Sequence, residues 1–295
     1  MFNSPEKLLY YNSNEHPVVV QLGGSNPDDM AKAASLCASY GYDEININCG
    51  CPSPRVKEGS FGAVLMKEPL TVANIVASMK EAVNKIPITI KCRLGVDDND
   101  SYEELTNFIS TVAKSGTNHF IIHARKAFLE GLNPKENRSV PPLRYDWVYK
   151  LAKEFPGLQF SLNGGLQNIE QMKEVMAEEN KLVGCMFGRL AYNNPWIIGR
   201  IDKEIFGDKG CELSRKEVLL KYGESIDKMN GVCNRTILKP ITYFFAGEKN
   251  SNQYRRFLGT KLREEKYKEN AKLLIEDAVE LFSQYNPTAA NKVHD

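Results

Sequence analysis

The sequence has little net charge and no long apolar run, and both absences limit its function class. Among 295 residues, 38 basic and 37 acidic side chains leave a net charge of +1. Any nucleic-acid-binding surface must therefore be a local patch. No apolar stretch reaches the roughly 18 residues of a membrane-spanning helix, and the amino-terminal segment lacks the features of signal and transit peptides. The sequence predicts a cytoplasmic protein without membrane association.

Motifs for metals and dinucleotides are also missing. The cysteines form no CxxC pair and have no histidine partner at zinc-ligand spacing, so we expect reduced thiols and no metal site. The glycines after Leu22 read GGSNPDD rather than GxGxxG, which disfavours a doubly wound dinucleotide-binding sheet. The seven cysteines are Cys37, Cys49, Cys51, Cys92, Cys185, Cys211 and Cys233.

What the sequence does contain is an alternation of short β-branched runs and helical segments. This alternation is typical of repeated βα units around a parallel sheet. Helices are expected at 27–40, after a cap at Ser25 or Asn26, and at 71–84. Strands are expected at 18–22, 44–48, 88–92, 119–123, 159–163 and 184–188.

Every predicted strand has a polar residue or glycine at its last or next-to-last position, as in a barrel whose site is built from carboxyl strand ends. The fold prediction is a TIM (β/α)8-type barrel over residues 1–206 with six strands, two fewer than a complete barrel needs. The strand ends carry Gln21, Asn48, Lys91, His123, Asn163 and the pair Gly188-Arg189.

The βα alternation stops after Phe206, and residues 207–286 read as consecutive helices with charged faces. We expect an all-α domain there, followed by a frayed tail at 287–295. Basic and aromatic residues interleave in this segment, which is typical either of solvated faces over an aromatic core or of an RNA-binding surface, and the first interpretation is favoured. They are Lys239, Tyr243, Phe244, Tyr254, Arg255, Arg256, Phe257 and Lys261.

The segment NCGCP at 48–52 follows a strand end directly and brings Cys51 over the barrel mouth. Gly50 allows close backbone approach and Pro52 stiffens the turn. A cysteine in this position can donate a proton or attack a carbon, or it can be a small buried hydrophobe. Cys49, Cys92 and Cys185 lie inside strands and are expected to be structural. His16, His119 and His294 are expected to be structural or solvent-exposed.

The last two strand ends, at Asn163-Gly164-Gly165 and Gly188-Arg189, suit a phosphorylated cofactor. The segment 125–142 is too long and too broken for a simple βα connection. It is interpreted either as a solvated loop or as a phosphate-contacting loop. Its positive residues are Arg125, Lys126, Lys135 and Arg138.

Several long runs resemble the tRNA-dihydrouridine synthases, closest to the subfamily that modifies positions 20 and 20a of the D-loop. The runs include QLGGSNPDDMA, GYDEININCGCPSPRVKEGSFGAVLMKEP, TIKCRLGVDD, FIIHARKAFLEGLNPKENRSVPPLRYDWVY and FGRLAYNNPW. The resemblance covers about 16–205 and weakens in the helical segment.

The resemblance implies a role for each candidate residue. Cys51 becomes the proton donor to C5 of uracil, while reduced FMN, reloaded by NADPH, gives hydride to C6. FMN would be held by Gln21, Lys91, His123, Asn163, Gly164, Gly165, Gly188 and Arg189. Transfer RNA would be contacted by Asn48, Lys135, Arg138, Arg255 and Arg256. A monomer is favoured.

The resemblance implies that the two missing strands are the first two of the barrel, since family members normally begin with two further strands, the first of which contacts the flavin. Lys239-Pro240 and Asn252 also replace residues that are more often basic, which blurs the expected tRNA position. Two alternatives follow: an FMN barrel that acts on a free pyrimidine, and a catalytically inactive tRNA-binding fragment. Salt-sensitive RNA binding would separate the first from the main hypothesis, and flavin colour the second.

Overall fold

A computed structural model describes residues 5–209, 212–226, 234–268 and 270–293. Cys211, Cys233 and His294 lie outside the described residues. Contacts group the chain into two compact units. The first runs to Leu166 and includes Glu174–Met186, and the second comprises Gln167–Lys173 and the chain from Phe187. The predicted domain boundary at residue 206 stays a prediction.

The first unit contains six parallel strands in sequential order, each paired with the next. This half-barrel is consistent with a TIM-like fold. All six predicted strands are present, and the last is shorter than predicted because it ends at Met186 rather than at Gly188. The strands are β1 Val19–Leu22, β2 Glu44–Cys49, β3 Ile88–Arg93, β4 His119–His123, β5 Gln159–Asn163 and β6 Gly184–Met186.

Helices cover one face of this sheet. Of the two predicted cap residues, Asn26 caps the first predicted helix, and its side chain accepts a hydrogen bond from the Asp29 N–H. The second predicted helix begins two residues early, at Pro69, and ends at Ala82. The helices up to β5 are α1 Pro5–Leu9, α2 Pro27–Ser39, α3 Pro54–Glu58, α4 Pro69–Ala82, α5 Tyr102–Ala113 and α6 Tyr145–Glu154.

Alternate strand residues divide the sheet into an apolar and a polar face. Ile45 and Ile47 of β2 are fully buried. Their neighbours on the opposite face are polar, since successive side chains of a strand point to opposite sides. On that face the Gln21 amide donates to Asn46 Oδ1 at 2.8 Å, and Asn46 Nδ2 donates to Thr89 Oγ1 at 2.8 Å. On β3 the polar alternation continues through Thr89 and Lys91 to Arg93.

The second unit is built from helices and 3-10 turns in its described residues. Its core includes Tyr254 and Phe282, which are fully buried, and Phe244, which is 7% exposed. The aromatics of this segment therefore form a core, as the favoured interpretation expects. The helices after β5 are α7 Ile169–Val175, α8 Arg189–Asn193, α9 Ile198–Glu204, α10 Arg215–Ser225, α11 Asn234–Leu238, α12 Ser251–Lys261, α13 Ala271–Tyr285 and α14 Pro287–Ala290.

The expected frayed tail is wrong for residues 287–290, which form α14. The Asn286 side chain caps this helix by accepting from the Ala289 N–H, and Ala289 and Ala290 are buried in the aromatic core. Small apolar side chains under a capped turn explain why the chain stays folded here. In the described part of the chain, no helix is long and apolar enough to cross a membrane. The same residues contain no cluster of three or more metal-ligating side chains.

Candidate active site at the carboxyl edge of the sheet

The carboxyl ends of successive strands bring five predicted residues to one edge of the first unit. Asn48 lies beside Lys91 in the β2–β3 register, and His123 lies beside Asn163 in the β4–β5 register. Lys91 Nζ reaches across β4 and donates to Asn163 Oδ1 at 3.0 Å. The Gln21 side chain lies on the same polar face, where it donates to Asn46. The sequence therefore identified a set of residues that the fold assembles, and their roles stay predictions.

Cys51 lies in a tight turn that Asn48 organises. Asn48 Oδ1 accepts from the N–H groups of both Gly50 and Cys51 at 3.1 Å. The Cys51 thiol is partly buried and donates to Ser53 Oγ at 3.5 Å. The Asn48 amide oxygen thus holds the turn that presents the thiol.

The other strand cysteines are poor acids. Burial raises the pKa of Cys49 well above its usual value and that of Cys92 to about 12. Burial also raises the pKa of Cys185. A raised pKa keeps a thiol protonated and unreactive at neutral pH. Cys51, in contrast to these three strand cysteines, lies in a loop at the carboxyl edge.

The glycine that packs closely against the Cys51 turn is Gly62, whereas the sequence predicted close backbone approach at Gly50. A Cβ on Gly50 would meet its nearest neighbour at 3.4 Å, which is ordinary contact. A Cβ on Gly62 would lie 2.3 Å from Val56 Cγ1 and 2.5 Å from the Cys51 carbonyl oxygen, and its φ is +73°. The Cys51 carbonyl also accepts from the Ala63 N–H at 2.9 Å. No sequence pattern predicts this contact, because it joins the turn to a 3-10 segment, Gly62–Lys67.

Replacing Gly62 by alanine is expected to destabilise the protein by about 2–4 kcal/mol, since steric overlap adds to left-handed strain. Gly131→Ala is the matched control, because Gly131 also has a positive φ, +77°, but nothing within 4 Å of its added Cβ. Urea unfolding of both variants separates the two effects. Equal losses for both variants would contradict the close packing at Gly62.

Two cations lie near the thiol. Burial, with a smaller contribution from Arg93, lowers the pKa of Lys91 to about 8. Burial also lowers the pKa of Arg93 to about 10. Charge interaction with Cys51 opposes both shifts, which indicates that the sulfur is within electrostatic reach of each cation. At pH 7 both groups stay protonated, so two positive charges lie near the Cys51 turn.

The turn after β5 places bare backbone against His123. Gly164 and Gly165 have φ values of +108° and +79°. A Cβ on Gly164 would lie 2.6 Å from His123 Cδ2, and one on Gly165 would lie 2.5 Å from Leu143 Cδ1. The Tyr145 hydroxyl donates to the Gly164 carbonyl. Only glycine fits this close approach.

The four cations of the long loop differ in their surroundings. Lys126 pairs with Asp100 at 2.8 Å, and Arg125 donates to the Pro141 carbonyl. Lys135 and Arg138 are exposed. The Lys126 ammonium is thus engaged by a carboxylate, and whether the loop contacts phosphates stays a prediction. Lys135 and Arg138 keep their predicted role as a prediction.

Four predicted residues belong to the second unit and are described within it alone. Gly188 is the cap of α8, and Arg189 is its first residue. Arg255 and Arg256 are exposed on α12, and the Arg255 guanidinium lies 5.4 Å from the centroid of the Tyr243 ring. Their exposure is compatible with binding a polyanion.

Comparison with known proteins identifies the family. The dihydrouridine synthase (Dus) family matches residues 3–281. The chain is 47% identical over 253 residues to a tRNA-dihydrouridine(20/20a) synthase of Shewanella oneidensis, covering 85% of this chain and 74% of that one. It is 46% identical over 254 residues to the Vibrio vulnificus protein of that name, covering 85% and 77%, and 45% identical over 253 residues to that of Escherichia coli K12, covering 85% and 72%.

Among solved structures, a phosphonopyruvate hydrolase covers 72% of this chain and 70% of its own with a TM-score of 0.43 and 11% identity, a likeness too low to support an argument. The sequence matches are much stronger. The family match covers residues of both units, and the Shewanella oneidensis protein is 47% identical over 253 residues. The chain belongs to the dihydrouridine synthase family of enzymes.

Proposed function

We propose that the chain reduces uridine to 5,6-dihydrouridine in the D-loop of tRNA, with FMN as cofactor and NADPH as electron donor. The observation that carries the proposal is the Cys51 thiol, which is partly buried at the carboxyl edge of a parallel sheet and within electrostatic reach of two cations. The named relatives add the substrate, since they are tRNA-dihydrouridine(20/20a) synthases.

The residues of the first unit fit a flavin. Lys91 is a partly buried cation whose depressed pKa reflects the scarcity of water around it. The glycine turn at 164–165 leaves backbone where any side chain would collide with its neighbours. Hydrogen-bonding groups of Gln21 and Asn163 complete the edge that would hold the ring. Gly188 and Arg189, described within the second unit, keep their predicted role as phosphate ligands. Bound in reduced form, FMN supplies a hydride to C6 of uracil.

Cys51 supplies the matching proton. Hydride addition at C6 leaves negative charge at C5 and on the C4 carbonyl, so C5 must be protonated for the reaction to finish. The Cys51 S–H bond breaks, a C5–H bond forms, and the thiolate regains its proton from solvent. Lys91 and Arg93 are within electrostatic reach of the sulfur, so positive charge is already present where this proton leaves.

Transfer RNA recognition uses Asn48 at this edge and surfaces outside it. A stacked uracil cannot reach a flavin at a barrel mouth, so the base must leave its stack, which is easiest in a loop. Asn48 contacts the tRNA beside Cys51, and the exposed cations Lys135 and Arg138 contact its backbone. Arg255 and Arg256 of the helical segment orient it. Residues 207–286 then act as a tRNA-binding domain.

Closure of the barrel is part of the proposal. β1 and β6 each pair with one strand in the described chain, and an eight-strand barrel needs two further strands between them. We infer that another segment completes the sheet in the active enzyme.

Visible absorbance of the purified chain, before and after FMN is added, tests the cofactor. Flavin absorbance bands that correspond to about one equivalent of FMN support the proposal. Loss of these bands when NADPH is added shows that the bound flavin accepts electrons. A colourless protein that ignores FMN would contradict flavin binding by this chain and favour the inactive tRNA-binding alternative.

Removing the two exposed loop cations tests tRNA contact. Lys135→Ala with Arg138→Ala is expected to reduce the slope of log affinity against log salt by about 1–2 and to weaken binding at low salt about tenfold or more. Lys85→Ala with Lys114→Ala is the matched control, because both lysines are exposed but precede β3 and β4 at the opposite edge. Filter binding at several salt concentrations measures the slope. Equal slopes for both double variants would refute the loop contact, and salt-insensitive binding by the parent would favour a free-pyrimidine enzyme.

A further inference from the structure

Arg93, the last residue of β3, joins two segments that are distant in sequence. Its side chain is buried, with the residue 3% exposed. Its Nε donates to the Gly50 carbonyl at 3.0 Å. Its Nη1 donates to the carbonyls of Lys126 at 3.0 Å and Asn137 at 2.8 Å. One guanidinium thus binds the turn of Cys51 and both ends of the long loop.

The loop end that Arg93 holds is itself rigid. Asn137 is fully buried, and its Nδ2 donates to the Phe128 and Leu132 carbonyls at 2.9 and 3.0 Å. Its Oδ1 accepts from the Phe128 N–H at 2.8 Å. These bonds close residues 128–137 into a compact loop. The exposed cations Lys135 and Arg138 lie on either side of Asn137 along the chain.

The geometry favours a specific requirement for arginine. A guanidinium presents N–H groups in a rigid plane, whereas the ammonium of lysine is a compact point charge at the end of a flexible stem. Burial makes the three carbonyl contacts hard to replace with water. Burial lowers the pKa of Arg93 to about 10, so the donors keep their protons at neutral pH.

We propose that Arg93 is a positioning residue that fixes the Cys51 turn relative to the loop carrying Lys135 and Arg138. This inference rests on the proposed function. It means that Arg93 fixes the position of the surface that contacts the tRNA backbone relative to the group that protonates the base. Movement of the loop is then transmitted to the thiol through Gly50. Asn137 shapes the loop but has no bond to the Cys51 turn, so the two residues have separable effects.

Arg93→Lys keeps the positive charge but removes the planar set of N–H donors. In this variant we expect the rate of Cys51 alkylation by iodoacetamide to change about fivefold or more, and protection of the Phe128 amide from hydrogen exchange to fall about tenfold. Asn137→Ser is the control, because it removes the Nδ2 donors and the Oδ1 acceptor of the Phe128 N–H but keeps the carbonyl that Arg93 binds. It should lower Phe128 protection and leave Cys51 alkylation within about twofold of the parent.

Two results would overturn the proposal. One is a folded Arg93→Lys variant with parental alkylation and exchange, and the other is an Asn137→Ser variant that alters Cys51 alkylation as strongly as Arg93→Lys does. If Arg93→Lys does not fold, native-state exchange of the parent in low urea gives the answer. The Ala63 amide, bonded to the Cys51 carbonyl, and the Phe128 amide should then open with one free energy and one urea dependence. Distinct openings would refute the coupling.

These readouts need neither flavin nor tRNA. A parent chain that forms no dihydrouridine but shows coupled segments would refute the proposed function and leave the role of Arg93 intact. An active parent with independent segments would refute the role of Arg93 alone.

Discussion

Replacing Cys51 by alanine is expected to slow dihydrouridine formation about 10²–10⁴-fold, the usual contribution of a positioned acid. Flavin binding should change little, because no proposed flavin contact is removed. The loss follows from the uncompensated negative charge at C5 of uracil when no proton donor is present. Single-turnover reduction of tRNA by enzyme carrying reduced flavin measures the chemical step without product release.

Cys185→Ala is the control for thiol removal. Cys185 is also partly buried, but it lies inside β6 and burial raises its pKa. Its variant should retain the parental single-turnover rate. A Cys51→Ala enzyme that reduces tRNA within a few-fold of the parental rate would refute the proton-donor assignment while leaving the family assignment untouched.

Replacing Lys91 by methionine is expected to stabilise the flavin-free protein and to weaken flavin binding. The folded-state pKa of Lys91 is about 8, below the ordinary value of 10.5. The fold therefore disfavours the ammonium, and this cost is fully present below pH 8 and disappears as the pH rises towards 10.5. Methionine removes it, which is worth about 1–3 kcal/mol at pH 7 after allowance for relaxation.

Urea unfolding of both flavin-free proteins between pH 7 and 10 measures the effect. The gain of Lys91→Met over the parent should be largest at pH 7 and shrink as the parental lysine loses its proton. FMN affinity should fall about tenfold or more, since one charged hydrogen bond is lost. Lys85→Met, at an exposed lysine, should show neither trend. A Lys91→Met protein that is less stable than the parent at pH 7, or that binds FMN with parental affinity, would contradict the role given to Lys91.

The barrel strands could be predicted because each carries its own periodic signal. In β2, isoleucines alternate with polar residues, so one face must be apolar and the other polar whatever the tertiary context. The same alternation brings Asn48, Lys91 and Asn163 to one edge. The residues of the candidate site that end strands were therefore accessible to sequence reasoning.

Arg93 and Gly62 were not predicted because their roles depend on contacts between distant segments. Arg93 bonds to carbonyls 43, 33 and 44 residues away, and no local pattern reports such distances. One signal was available: Arg93 is two residues after Lys91 and so shares its polar face. Gly62 gave no signal, since its positive φ and its contact with the Cys51 carbonyl appear only in the folded turn.

The loop cations show how pairing limits inference from composition. Lys126 and Lys135 are equivalent in sequence, but Asp100 engages Lys126 because the loop folds back over the segment that follows β3. Counting positive residues does not reveal such pairing, which only the folded loop shows. Lys135 and Arg138 are the two exposed cations among the four.

The most direct test of the central claim is an assay of tRNA that lacks dihydrouridine. The tRNA is incubated with the protein, FMN and NADPH, and its nucleosides are analysed by mass spectrometry. We predict conversion of D-loop uridine to a product heavier by one hydride and one proton, dependent on both NADPH and Cys51. A flavin-loaded protein that oxidises NADPH and binds this tRNA, yet leaves every uridine unchanged, would contradict the account.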